Sequence, residues 1–205
     1  MQGTINEWEK IYRTTPLHKL PWHSEKPAEY LVTLLTQKKI HVGKALDVCC
    51  GAGTNAVYLA GNGFRVTGID ISSTAIHHAK KRAQQQGVAP DCTFLAGNIL
   101  TIQLPYNEFD FIFDRGCYHH IPLAKKPYFA RLIAELLKKN GHYFLSCFSD
   151  KNEPWEKNVS KEEIKNNFSP YFSIGRIQDY INVEDATGAS IYFYLVLMRK
   201  KSKIK

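Results

Sequence analysis

Long apolar runs are missing from this chain. The longest, Ile191 to Met198, falls far short of the roughly 20 residues that cross a bilayer and reads as a buried strand. Met1 to Lys10 are polar and charged, so no signal peptide and no membrane partner are expected. Cysteine is scarce and odd in number: Cys49, Cys50, Cys92, Cys117 and Cys147 contain no C-x-x-C pair. That spacing argues against a disulfide framework and against a metal site, and for reduced thiols in a cytoplasmic protein. Negative charge is also short, with 19 acidic against 27 basic residues and a net charge of +8. Part of the excess lies in Arg199-Lys200-Lys201-Ser202-Lys203, read as a solvated basic tail over residues 200–205. Linkers and repeats are absent too, so the 205 residues are expected to form one domain around one core.

The stretch from Lys44 to Asp70 is rich by contrast. Strand residues Ala45, Leu46 and Val48 lead into Cys49-Cys50-Gly51-Ala52-Gly53, and a helix over Thr54 to Gly61 follows. Gly51 and Gly53 let a backbone approach a ligand closely, and the first N–H groups of the helix face whatever lies over the turn. A second strand, Phe64 to Ile69, delivers Asp70, whose carboxylate can accept bonds from two ribose hydroxyls. Strand, glycine turn, helix, strand and acid make a βαβ unit for a nucleoside cofactor. Gly51 to Ala56 also satisfies the dinucleotide fingerprint G-x-G-x-x-[G/A]. Asp47, ahead of the glycines, suits a ligand carrying an ammonium and a sulfonium better than a pyrophosphate, which it would repel.

Alternation continues downstream. Ser72 is placed to cap a helix running to Gln86 that buries Ala75, Ile76, Ala79 and Ala83. A third strand at Cys92 to Ala96 precedes Asn98-Ile99, and a fourth, Phe109 to Asp114, carries Asp114-Arg115-Gly116-Cys117-Tyr118-His119-His120 off its end. A helix is predicted over Leu123 to Lys139, a fifth strand over His142 to Phe148, and a capping box at Ser160 to Glu163 opens a helix to Phe168. Two last strands, Phe172 to Ile181 and Ile191 to Met198, flank Ala186-Thr187-Gly188-Ala189 as an antiparallel hairpin. The expected fold is therefore a doubly wound, Rossmann-like α/β sheet of seven mostly parallel strands ending in that hairpin, over residues 44–199. Residues 1–43, with Trp8, Tyr12, Trp22 and Tyr30 among prolines, read as a segment folding over the cofactor as a lid.

Asp47 to Gly53 resembles motif I of the class I S-adenosylmethionine (SAM) dependent methyltransferases, with Cys49 in place of its first glycine. Trp8 to Tyr12, Pro21-Trp22, Asp114-Arg115-Gly116 and Ser160 to Phe168 resemble the thiopurine and small-molecule thiol methyltransferases. The resemblance implies SAM as cofactor and S-adenosylhomocysteine as product. It implies Asp47 and Asp114 near the methionine end, Asp70 on the ribose, Asn98 at the adenine amino group, and Ile71 and Ile99 around the adenine. Tyr12 and Trp22 would close over the site, with Cys49, Gly51 and Gly53 as its floor. Arg115 and His119 would position a small-molecule acceptor, such as a thiol or another soft nucleophile. Nucleic acid is not expected as a partner. An RNA-modifying methyltransferase and a non-catalytic SAM-binding regulator are the alternatives, the sequence fixes no oligomeric state, and His119 remains open between packing, lining the site and acting as a base.

Overall fold

The computed structural model describes residues 5–153, 157–183 and 190–202. Its chain divides into two compact units, Gly3–Leu104 with Phe109–Ile112, and Pro105–Glu108 with Phe113–Lys205.

In the first unit, β1 (Lys44–Val48), β2 (Arg65–Asp70) and β3 (Cys92–Ala96) lie in the order β3-β2-β1, followed by the start of β4 (Phe109–Arg115). The first three are parallel, with Val48 opposite Ile69 and Asp70 opposite Ala96. Ala45, Leu46, Asp47 and Val48 are all buried, as expected of a strand covered on both faces. The two crossover helices are α3 (Thr54–Gly61) and α4 (Ser73–Gln85). The Ser72 hydroxyl accepts from the Ala75 N–H at 3.1 Å, and Ala75, Ile76, Ala79 and Ala83 are buried, as the apolar spacing predicts. Ahead of the sheet lie α1 (Ile5–Thr14) and α2 (Glu29–Thr36). Tyr12 and Leu20 pack with Ala75 of α4, and Trp8, Ile11 and Leu17 cover that cluster.

In the second unit the order continues β4-β5-β8-β6, with β5 (Leu137–Phe148), β6 (Phe172–Ile174), β7 (Gln178–Val183) and β8 (Ser190–Lys200). Its helices are α5 (Lys126–Leu136) and α6 (Lys161–Phe168). Strand β8 is antiparallel to β5, β6 and β7. Tyr143 and Phe168, 5.4 Å apart between ring centres, anchor an aromatic core with Tyr118 and Phe172.

The fold is the expected Rossmann-like α/β class with a mostly parallel sheet and a C-terminal antiparallel pair. Several boundaries differ, among them β5, expected from His142 and observed from Leu137. Helix α5 starts at Lys126, where Pro127 occupies its first turn, and stops at Leu136 because Leu137 is already extended. The strand read as Phe172 to Ile181 is two strands on one edge of β8. Ile174 pairs with Met198 and Gln178 with Leu195, so Gly175, Arg176 and Ile177 face only Val196 and Leu197. This is a β-bulge, which adds an eighth strand by interrupting the expected sixth. A Cβ on Gly175 would come 2.6 Å from the Leu197 carbonyl oxygen, which explains a glycine there. Finally, Lys200 is not tail: it ends β8, is 9% exposed, and donates to the Leu137 carbonyl at 2.7 Å and to Asn107 Oδ1 at 3.0 Å. The turn Ala186 to Ala189 lies outside the described residues.

Candidate active site

The turn after β1 takes a left-handed path. Cys49, Gly51 and Gly53 have φ of +55°, +54° and +78°. Cysteine at the first position therefore adopts the conformation that a glycine would adopt at less cost, by about 1–2 kcal/mol. Gly51 N–H donates to Asp70 Oδ2 at 2.9 Å, and Ser72 N–H donates to Asp70 Oδ1 at 2.9 Å. The acid at the end of β2 thus fastens the glycine turn and the start of α4 together. Burial raises the Asp70 pKa, while the N–H groups of Ser72, Gly51 and Ile71 oppose that shift. A carboxylate has about four acceptor positions, so with three N–H groups on it capacity remains for a ligand hydroxyl.

Asp47 is buried near the end of β1, two residues before Cys49. Cys50 lies near both acids: its thiol is pushed well above its ordinary pKa, first by burial and then by Asp47 and Asp70. It is an inert thiol rather than a nucleophile. Cys92 and Cys147 are also free, whereas Cys49 and Cys117 are each held in a disulfide, so the expectation of five reduced thiols is corrected at those two. At the end of β3, Asn98 Oδ1 accepts from the Leu100 N–H at 2.9 Å and shapes its own turn. Ile99 is buried and Ile71 half-buried.

The N-terminal segment is tied over this turn. Trp22 Nε1–H donates to Tyr12 Oη at 3.1 Å, and the Trp8 and Trp22 rings meet edge to face at 5.3 Å. A Cβ on Gly51 would lie 2.8 Å from Tyr12 Oη, so the phenol approaches the turn at the point where no side chain stands. Burial first, then the Asp70 charge, raises the Tyr12 pKa, keeping the phenol protonated.

The sequence reading missed the other fastenings. Glu9 of α1 accepts from the Ser72 hydroxyl at 2.7 Å and from the Thr74 N–H at 3.1 Å, capping α4 across 63 residues of chain. Those bonds, Thr74 hydroxyl first, lower the Glu9 pKa to about 2. Arg82 of α4 donates to the Ala52 carbonyl at 3.1 Å and to Glu25 at 2.7 Å. Thr54 and Asn55 bond Ser24 and Ala28. None of these pairs has a spacing signal, because each joins segments brought together by the fold alone.

In the second unit, Asp114 is fully buried. Its Oδ1 accepts from the Cys117 N–H at 2.8 Å and its Oδ2 from the Tyr143 hydroxyl at 2.8 Å. Burial drives its pKa up to about 7, against those bonds. The carboxylate faces its own loop and braces the turn that carries Arg115 and His119. Arg115 is exposed at the strand end. His119 is 5% exposed and stacks on Phe148 at 3.9 Å. Its Nδ1 accepts from the Phe148 N–H at 3.1 Å, and burial pulls its pKa well below the ordinary value. The ring is therefore neutral with its proton on Nε2, a hydrogen-bond donor and not a base in this geometry.

Fold and turn together define an α/β protein with a left-handed glycine turn fastened to the acid that ends the next strand. Residues 45–141 match the family profile described as "Methyltransferase domain". The chain is 27% identical over 161 residues to the 2-heptyl-1-hydroxyquinolin-4(1H)-one methyltransferase of Mycobacteroides abscessus, covering 77% of this chain and 70% of that protein. It is 29% identical over 166 residues to the probable thiol methyltransferase 2 of Arabidopsis thaliana, covering 79% and 72%. A structure solved in work on the conversion of a disulfide bond into a thioacetal group during echinomycin biosynthesis superposes with a TM-score of 0.84 at 21% identity, covering 97% of this chain and 94% of that one. The domain match, the relatives and the fold together support a SAM-dependent methyltransferase. Its residues fit that cofactor: a glycine turn that no side chain of its own fills, a tethered carboxylate with acceptor capacity left, and buried Asp47 near the same turn.

Proposed function

We propose that this enzyme methylates a small-molecule acceptor through a soft nucleophile, with a thiol as the leading class. One observation carries the reading: the left-handed turn at Cys49 to Gly53 fastened to Asp70, in a chain whose relatives include a probable thiol methyltransferase. When bound, SAM supplies a methyl group on a sulfonium. Asp70 holds the ribose, Asn98 the adenine amino group, and Ile71 and Ile99 the adenine faces. Asp47 meets the ammonium, while the Asp114 carboxylate is engaged in its loop. Tyr12 and Trp22 exclude water. Arg115 and the Nε2–H of His119 orient the acceptor, a role that needs no proton removal when the nucleophile already has an anionic population.

Release of S-adenosylhomocysteine across small thiols, thiopurines, selenite, tellurite and phenols tests this reading. Turnover with a thiol or selenium compound is the expected result. Turnover of tRNA alone would favour the RNA-directed alternative, and binding of SAM without any turnover would favour a regulator. The RNA alternative drew on the basic tail, and Lys200 of that tail belongs to the sheet.

A further inference from the structure

Residues 22–28, which lead from α1 toward α2, form a strap fastened to the glycine turn and its helix at three points. The Thr54 hydroxyl donates to the Ser24 carbonyl at 2.7 Å, and the Ala28 N–H donates to Asn55 Oδ1 at 3.0 Å. The third point is Arg82 of α4. Its Nη1–H donates to Glu25 Oε2 at 2.7 Å while its Nε–H donates to the Ala52 carbonyl at 3.1 Å, so one planar guanidinium spans from the strap to the turn itself. A lysine could serve either partner as a point charge, but not both in one plane.

Both ends of this bridge are tightly defined. Ala52 is 4% exposed and stands between the left-handed Gly51 and Gly53, so its carbonyl draws on a protein donor. Both carboxylate oxygens of Glu25 are committed, Oε2 to Arg82 and Oε1 to His23 Nε2 at 2.8 Å. The Arg82 bond, ahead of the His23 bond, holds the Glu25 carboxyl at about 2 and therefore charged at neutral pH. The Glu25 side chain is largely exposed, and an exposed ion pair by itself contributes little to stability. What this one does is orient a guanidinium whose other edge fixes a buried carbonyl.

We propose that Arg82 is a positioning residue for the cofactor: it sets the Ala52 carbonyl, and with it the path of the turn from Gly51 to Gly53, when Glu25 of the strap holds its guanidinium in line. Closure of the strap and affinity for SAM are thereby coupled, and Glu25 influences SAM binding without touching SAM. The coupling rests on the cofactor lying over the glycine turn and is independent of which acceptor is methylated.

Calorimetry with SAM on the full chain tests the coupling in the parent protein, Glu25→Ala, Arg82→Ala and the double variant, with thermal unfolding as the control for folding. Arg82→Ala should weaken SAM binding by about tenfold, the scale of one lost charge-assisted bond. Glu25→Ala should weaken it by about threefold in the parent protein and leave it unchanged in the Arg82→Ala background, because the two act in series. Arg82→Lys should recover part of the loss, and SAM should protect residues 22–28 from protease less in Arg82→Ala than in the parent. Should Arg82→Ala fail to fold, Arg82→Gln, which offers Ala52 a donor and Glu25 no charge, takes its place in the same cycle, with the Glu25 effect again expected to vanish. An unchanged Kd in folded Arg82→Ala overturns the proposal, alone if Asp70→Ala loses affinity and together with the placement of the cofactor if it does not. Equal losses for Glu25→Ala in the two backgrounds would make Glu25 independent of Arg82 and overturn it as well.

Discussion

Gly51 N–H and Asp70 Oδ2 lie 2.9 Å apart, and this bond makes Asp70, the acid proposed to hold the ribose, also the anchor of the glycine turn. Replacement of Asp70 removes both functions together. Asp70→Ala is expected to weaken SAM binding by tenfold or more, given about 1.5–3 kcal/mol for each hydrogen bond to a charged group. Titration calorimetry against SAM decides it; an unchanged Kd would remove Asp70 from the cofactor site.

Closure by the N-terminal segment has its own signature. Tyr12→Phe leaves the Trp22 indole N–H without its phenol acceptor, and Trp22→Ala empties the space against Trp8. Both should lower SAM affinity several-fold while changing the unfolding temperature little. In the parent protein, bound SAM should slow proteolysis within residues 5–28. Equal digestion with and without SAM would argue against a lid.

Glu9 should make that docking acid-sensitive. Its carboxyl sits at about 2, below its ordinary 4.5, because Thr74 and Ser72 bond the charged form. Stability from this contact is thus complete above pH 4.5 and lost as pH falls toward 2. Glu9→Gln should abolish this part of the pH dependence and expose α1 to protease at neutral pH.

Asp114 works in the opposite direction. Burial lifts its pKa to about 7, so the folded state binds a proton there more tightly than the unfolded chain does. Stability should therefore fall as pH rises from about 4 to 7 and stay lower above it. Asp114→Asn can still accept from Cys117 and donate to the Tyr143 oxygen. The variant should lose that slope, as measured by denaturant unfolding between pH 4 and 8.

Lys200 and the residues beyond it should separate. Lys200→Ala leaves the Leu137 carbonyl without its ammonium and should cost about 1–3 kcal/mol. Removing residues 203–205 should leave turnover of a small acceptor intact, with little dependence on salt. A steep loss with salt would instead indicate phosphate contacts.

The legible parts of the chain were those whose partners lie close in sequence. Ser72 as cap, the apolar face of α4 and the acid seventeen residues beyond Gly53 all follow from spacing. The capping box at Ser160 is half right: Ser160 accepts from the Glu163 N–H at 3.0 Å, while the Glu163 carboxylate turns to Lys126, a partner 37 residues away. Glu9, Arg82 and the buried end of Lys200 were illegible for the same reason, since a charged residue's partner is set by folding and not by its neighbours. Cys49 hid its left-handed φ because its residue type gives no sign of one.

The bulge at Gly175 has a consequence for life in a crowded solution. An unbroken strand from Phe172 to Val183, bearing Ile181 at 50% exposure, would present a long flat row of backbone donors and acceptors to other chains. The extra residue against β8 divides that row into a piece of three residues and one of six, and increases the local twist. Straightening it by deleting Arg176 would trade a small local irregularity for a sticky border.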